Sequence, residues 1–282
     1  MKTLKLNLAG VTILLLAALL PTITRGDDKA EAYKYGKEGI AAAKDKNWDK
    51  ATDLFEKAAK ADPKDPNNYN NLGLAYKGAG QLDKAIEAFG KGIEAQENAT
   101  GYLNRGVLYV SQQKYDQAIQ DFDRSLKLDP DSALAHRFRA FSYLQNKDYA
   151  KAVTDYDVVL KDKSNDLEAR SRRAFALWNL KEYDKAIADY GKIISQKPAD
   201  KQAYLDRSYV YELKGDYAKG IADCEKVLSL DPSNADAKAR KDRLEYQLKK
   251  GQPTPTPTAR PRRTLPPEPV ATPRPMKHPG GG

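Results

Sequence analysis

The chain is poor in the residues that build covalent and metal-bound frameworks, with one cysteine, Cys224, and two histidines, His136 and His278, among 282 residues. A single cysteine excludes an internal disulfide framework. The two histidines stand far apart in the chain with no cysteine cluster beside them, and so supply no ligand set for zinc, haem or an iron–sulfur centre. No metal and no other cofactor is therefore expected. Because no cysteine precedes Cys224, a lipid-modified N-terminal cysteine is excluded as well. Neither GxxxxGK[ST] nor GxGxxG occurs to cradle a phosphate, and one interior histidine builds no Ser–His–Asp set. Carboxylates are plentiful but recur as periodic helix-surface residues, so no catalytic residue is assigned and no enzyme is expected.

Long apolar runs are equally scarce. With 31% charged residues, 40% hydrophobic residues and a mean hydropathy of −0.74, the chain is unusually polar for one large globule. The exception is Leu6 to Leu20, interrupted by Asn7, Gly10 and Thr12, preceded by Lys2 and Lys5 and followed by Pro21. That order is the grammar of a secretory signal peptide over residues 1–26. It predicts an exported chain, periplasmic or secreted, of bacterial type. The alternative is an uncleaved anchor over residues 4–23, about the length that spans a bilayer.

The net charge of +9 is concentrated at the two ends: residues 1–26 carry +3 and residues 251–282 carry +4, leaving +2 between them. A middle of that charge makes no continuous basic surface, and no nucleic-acid partner is expected. Residues 251–282 hold ten prolines, which forbid a packed core and predict a disordered, basic, proline-rich tail.

A period runs through the middle. A small residue recurs at Ala51, Ala85, Ala118, Ala152, Ala186 and Gly220. Their nearly constant step of about 34 residues marks stacked helix pairs, each too small to bury its own apolar face. Apolar residues at helical spacing agree, as in Leu72, Ala75 and Tyr76 and then Ala85, Ile86 and Phe89.

On these residues the chain resembles the tetratricopeptide-repeat family. With the recurrent small residue counted as position 20, position 8 holds Gly39, Gly73, Gly106, Ala140, Ala174 and Ser208. Position 24 holds Phe55, Phe89, Phe122, Tyr156, Tyr190 and Cys224, so Cys224 reads as a buried apolar spacer. Position 32 holds Pro63, Pro130, Pro198 and Pro232, with departures at Glu97 and Ser164. The resemblance implies an all-α, right-handed α-solenoid of six repeats over 32–234, namely 32–65, 66–98, 99–132, 133–166, 167–200 and 201–234. After Asn234, residues 235–250 form a capping helix with a thin apolar stripe through Ala235, Ala239, Leu244 and Leu248.

One pattern is paired within the chain. Repeats three to six place Arg105, Arg139, Arg173 and Arg207 at position 7, with Asp121, Asp155, Asp189 and Asp223 at position 23. Repeats one and two have neither, holding Glu38 with Leu54 and Leu72 with Ala88. The reading is a structural ion pair bridging two helices, against the alternative of a ligand-binding ladder.

In the family, first helices line a concave groove with positions 2, 5, 9, 12 and 13. The resemblance places Asn70, Lys77, Arg137, Phe141, Gln145, Phe175, Trp178, Asn179, Tyr209 and Glu212 there. The aromatics suit an extended peptide or partner helix, and pure packing between first helices is the other reading. The family's two-carboxylate clamp for chaperone tails finds no window with more than one matching residue, so that specificity is not expected. The resemblance implies a non-enzymatic adaptor that presents a groove to a partner protein; the N-terminal segment places it outside the cytoplasm as an expectation, and the charge of the tail would let it meet an anionic envelope surface. A membrane-tethered assembly scaffold is the alternative.

Overall fold

A computed structural model describes residues 26–251, and every regular element among them is an α-helix. They fall into two compact units. The first contains α1 (Gly26–Lys44), α2 (Trp48–Ala61), α3 (Pro66–Gly78) and α4 (Leu82–Ala95). The second contains α5 (Ala99–Ser111), α6 (Tyr115–Leu128), α7 (Ala133–Gln145), α8 (Tyr149–Asp162), α9 (Leu167–Asn179), α10 (Tyr183–Gln196), α11 (Lys201–Lys214), α12 (Tyr217–Leu230) and α13 (Ala235–Lys250). Within each unit a helix packs on its sequence neighbours, and α1 on α3, α5 on α7 and α7 on α9 also touch. The expected signal or anchor segment, and nearly all of the proline-rich tail, lie outside the described residues. No described helix is long and apolar enough to cross a membrane.

Local chemistry sets the helix boundaries. The turn within each pair places one residue in the left-handed region: Lys46, Gly80, Gln113, Lys147, Lys181 and Gly215, with φ between 57° and 87°. The next residue in the turn sends its N–H back to a carbonyl five residues earlier, as Gln81 does to Tyr76 and Asp148 to Tyr143, both at 2.8 Å. Open carbonyls of the first helix are thereby satisfied. Only two of the six turns use glycine, so no glycine signal marked this position in the sequence. At most junctions between pairs an acid or amide caps the next helix, as Asp166 accepts from the Ala169 N–H at 3.0 Å and Asp200 from the Ala203 N–H at 3.1 Å, whereas Ser132 before α7 makes no such side-chain bond.

The core is a matched series of side chains between the two helices of each pair. A methyl group added at Gly39, Gly73 or Gly106 would lie 2.8, 2.6 or 2.7 Å from the ring of Phe55, Phe89 or Phe122. Where the small residue is Ala140 or Ala174 the partner is tyrosine, and where it is Ser208 the partner is Cys224, whose Sγ lies 3.1 Å from the serine Oγ. Cys224 is fully buried, and burial pushes its thiol pKa up, away from reactivity. Gly106→Ala should therefore destabilise the protein. The roughly 1 kcal/mol that alanine gains over glycine in a helix is outweighed by overpacking of about 1–3 kcal/mol. A denaturant titration that showed a gain in stability would refute this fit.

The stripe expected on α13 is corrected. Its buried face is Ala237, Arg240 and Leu244, whereas Ala235 and Ala239 are exposed and Leu248 is 52% exposed. Residues at 237, 240 and 244 share one helical face, and the long stem of Arg240 serves as apolar cover. Leu244 reaches Gly220, where an added methyl would sit 2.9 Å from its Cδ1.

Candidate functional site

Two faces of the helix pairs carry the residues singled out in the sequence. On one, each position-7 arginine meets the position-23 aspartate of its own pair. Arg105 donates from Nε and Nη2 to Asp121 at 2.8 Å each, and Arg207 donates likewise to Asp223 at 2.9 and 2.7 Å. Arg139 grips Asp155 at 2.8 and 2.7 Å, and Arg173 grips Asp189 at 2.8 and 2.6 Å. Each of these last two spends its remaining Nη on the preceding pair, Arg139 on Asp123 and Arg173 on Asp157, both at 2.7 Å. Hydrogen bonds from the guanidinium groups to the carboxylates hold the pKa values of Arg105, Arg173 and Arg207 above their ordinary value. Burial lifts the Asp223 carboxyl above the usual carboxylate range against the pull of Arg207.

A second layer of this face was not legible from the pairing alone. His136 contacts Asp155 through Nδ1 at 2.8 Å and the Pro130 carbonyl through Nε2 at 3.1 Å. One period later, Arg170 donates to Asp189 at 3.1 Å and to the Ser164 carbonyl at 2.6 Å. Pro130 and Ser164 are equivalent positions, so the two side chains are the same brace built from different residues. Elsewhere this position is tyrosine, and Tyr102 and Tyr204 instead lie beside the guanidinium, 5.8 and 5.7 Å from ring centre to the Arg105 and Arg207 centres.

The other face is that of the expected groove residues. Asn70 and Lys77 belong to the first unit. Asn70 is buried and Lys77 half-buried, its pKa lowered by desolvation. In the second unit the aromatics converge: Phe175 and Trp178 have ring centres 4.9 Å apart, and Trp178 and Tyr209 are 5.2 Å apart edge to face. Phe175 and Tyr209 are half-buried, whereas Trp178 beneath them is only 9% exposed. Asn179 donates from Nδ2 to the Phe175 carbonyl at 2.7 Å, and Gln145 is half-buried. Arg137 forms an ion pair with Asp166, the cap of α9.

Two expected groove residues are closed off. Phe141 is 5% exposed because the guanidinium of Arg172 covers its ring at 4.9 Å. Glu212 is 1% exposed, its two oxygens accepting from Arg243 Nε and Nη2 of α13 at 2.7 and 2.8 Å. Glu212 therefore anchors the capping helix and is not presented to a partner. Arg240 of the same helix lies over the Tyr209 ring at 5.1 Å and donates to the Leu205 carbonyl at 3.1 Å. Arg172 and Arg240 stand two periods apart, at the same place in their helices. That shared register was the signal that could have found them. Among the described residues no group of histidine, cysteine and carboxylate side chains is arranged to hold a metal.

Comparison with known proteins agrees with this architecture. Sequence models of the tetratricopeptide repeat match residues 54–87, 99–132 and 172–235. Neutrophil cytosol factor 2 from Bos taurus is 37% identical over 100 residues, covering 34% of this chain and 18% of that protein, so the likeness spans under a fifth of the relative's length. The crystal structure of YrrB, a TPR protein with an unusual peptide-binding site, superposes with a TM-score of 0.63 at 21% identity, covering 67% of this chain and 97% of that one. Pseudomonas aeruginosa pilF superposes with a TM-score of 0.58 at 19% identity, covering 76% and 99%. The described residues are all-helical, and the chain carries tetratricopeptide repeats.

Proposed function

We propose that the protein is a non-enzymatic adaptor whose second unit binds a partner through the first-helix face at Phe175 and Tyr209. One observation carries this reading: two half-buried aromatic rings rest on a buried tryptophan, with Asn179 bonded to the Phe175 carbonyl. Rigid aromatic surface ringed by polar groups is what a peptide or helix with apolar anchors requires. The test is selection of displayed peptides on the full chain, followed by affinity measurement on Phe175→Ala, Tyr209→Ala. At least a tenfold loss on the double variant is expected, and equal binding by wild type and variant would overturn the site.

The six-repeat, exported form of this adaptor rests on the sequence. Residues 1–26 support secretion, and the same apolar run over residues 4–23 supports the second reading, a scaffold tethered to a membrane. A mature protein beginning near Asp27 and released by carbonate is expected for the first, and retention of residues 1–26 in the membrane pellet for the second. The basic residues of 251–282 favour an additional contact with an anionic surface, of about 1 kcal/mol per cation at most and weakened by salt.

A further inference from the structure

The helix pairs can be compared with one another, and the comparison exposes a site in the first unit. In the pair α5–α6 the guanidinium of Arg105 lies between Tyr102 and Tyr109, 5.8 and 5.9 Å from their ring centres, and is clasped by Asp121. In α11–α12, Arg207 lies between Tyr204 and Tyr211 at 5.7 and 5.8 Å and is clasped by Asp223. In α7–α8 and α9–α10 the arginine gains a further carboxylate from the preceding pair, Asp123 for Arg139 and Asp157 for Arg173.

The pair α3–α4 keeps the two tyrosines of α5–α6 and α11–α12 but has neither the arginine nor the clasping aspartate. Its tyrosines, Tyr69 and Tyr76, have the same spacing along the helix as Tyr102 and Tyr109. Leu72 stands where the arginine would be and Ala88 where the aspartate would be. Between them lies a cavity of 460 Å³, lined by Tyr69, Leu72, Tyr76, Ala88 and two carboxylates, Glu56 of α2 and Glu87 of α4. Glu56 precedes Leu72 by the same offset that separates Asp123 from Arg139 and Asp157 from Arg173. The Tyr76 hydroxyl donates to Glu56, which fixes that carboxylate at the slot. Burial and this hydrogen bond push the Tyr76 hydroxyl pKa up to about 12, so the phenol stays neutral.

Three lysines, Lys60, Lys84 and Lys91, also line the cavity beside its two carboxylates. Lys84 stands over the Tyr76 ring at 5.4 Å, as Lys151 does over Tyr143 at 5.2 Å and Lys219 over Tyr211 at 5.7 Å. In those two pairs an arginine occupies the neighbouring slot. Lys91 is paired with Glu87 at 2.7 Å, and Lys60 completes the rim.

We infer that this cavity in the first unit receives an arginine side chain from a partner polypeptide, seating its guanidinium between Tyr69 and Tyr76 and against Glu56; two other pairs hold their own arginine between two tyrosines, and two more hold theirs against a carboxylate of the preceding pair. Aromatic faces and a carboxylate together recognise a planar cation. The site is separate from the Phe175–Tyr209 face and stands or falls without it.

The experiment titrates the full-length chain with a capped Gly-Gly-Arg-Gly-Gly peptide and follows the Tyr69 and Tyr76 ring resonances by NMR. Matched peptides carry citrulline, which has the same shape without the charge, or lysine. Saturable shifts of both rings with arginine are expected, with at least tenfold weaker binding of citrulline. The variant Leu72→Arg, Ala88→Asp rebuilds the internal pair; it should melt no lower than wild type and lose the peptide. Equal binding of citrulline, or undiminished binding by that folded variant, would overturn the inference. A final arm replaces Arg260, Arg262, Arg263 and Arg274 by glutamine. Unchanged affinity supports a partner as the source, and a tenfold gain would overturn that assignment by revealing the chain's own arginines as competitors.

Discussion

Replacing Trp178 by alanine should cost about 3–5 kcal/mol of stability, the range for removing a large buried aromatic side chain. The indole touches three rings, Phe175 and Tyr209 at 4.9 and 5.2 Å and Tyr190 at 6.5 Å. Those rings come from α9, α10 and α11, so the loss removes the common filler of two adjoining helix pairs. Little relaxation is available, because Tyr190 and Ala186 beneath it are fully buried. For a unit of this size the melting temperature should fall by roughly 10 °C or more. In a stack whose pairs contact only their neighbours, hydrogen exchange should accelerate first in α9 to α12. Phe175→Ala and Tyr209→Ala, at half-buried positions, should each cost clearly less. A loss below about 1 kcal/mol for Trp178→Ala would show that the ring belongs to the surface. Binding experiments that use Trp178 variants would otherwise confuse lost affinity with lost structure.

The second large effect is expected at Asp189. This carboxylate is 4% exposed and accepts three hydrogen bonds, from Arg173 Nε and Nη2 and from Arg170 Nη1. Asp189→Ala takes the shared carboxylate from two guanidinium groups, leaving Arg173 with Asp157 and Arg170 with the Ser164 carbonyl, and about 3 kcal/mol should be lost, the lower end for breaking a buried ion pair because those partners remain and the Arg173 side chain is 21% exposed. Arg173→Leu, Asp189→Ala should recover part of that loss by removing one of the two under-compensated cations. Recovery stays incomplete because Arg170 remains. Asp121→Ala gives the cleaner comparison, since Tyr102 replaces the second cation there. Adding Arg105→Leu to it should restore most of the stability in a denaturant titration. Equal losses for single and double variants at both sites would show that the pairs contribute no more than their separate members.

The repeat period shows why so much of the fold was legible. Each full step of the period brings the same side chains to the same neighbours, so alignment of the chain on itself reveals the recurrent small and aromatic positions and the pairing of Arg105 with Asp121. Those contacts are local, between helices joined by a short turn. The turn itself was less visible, because Lys46, Gln113, Lys147 and Lys181 adopt the left-handed conformation that sequence reasoning assigns to glycine. Here the hydrogen bonds that close the first helix outweigh the strain of a side chain in that region.

The sequence by itself determined the helix pairs, their spacing, the recurrent small and aromatic positions and the four Arg–Asp bridges. Each of these depends on residues at fixed offsets within one period. Only the tertiary structure decided what is open to a partner. It covered Phe141 with Arg172, gave Glu212 to Arg243 of the capping helix, turned Ala237 and Arg240 inward beside the expected Leu244 in place of Ala235, Ala239 and Leu248, and left a cavity between Tyr69 and Tyr76. The physical reason is that exposure depends on what the neighbouring helix lays over a residue. A long side chain such as arginine can cross from one pair to the next and fill space that position alone would leave open.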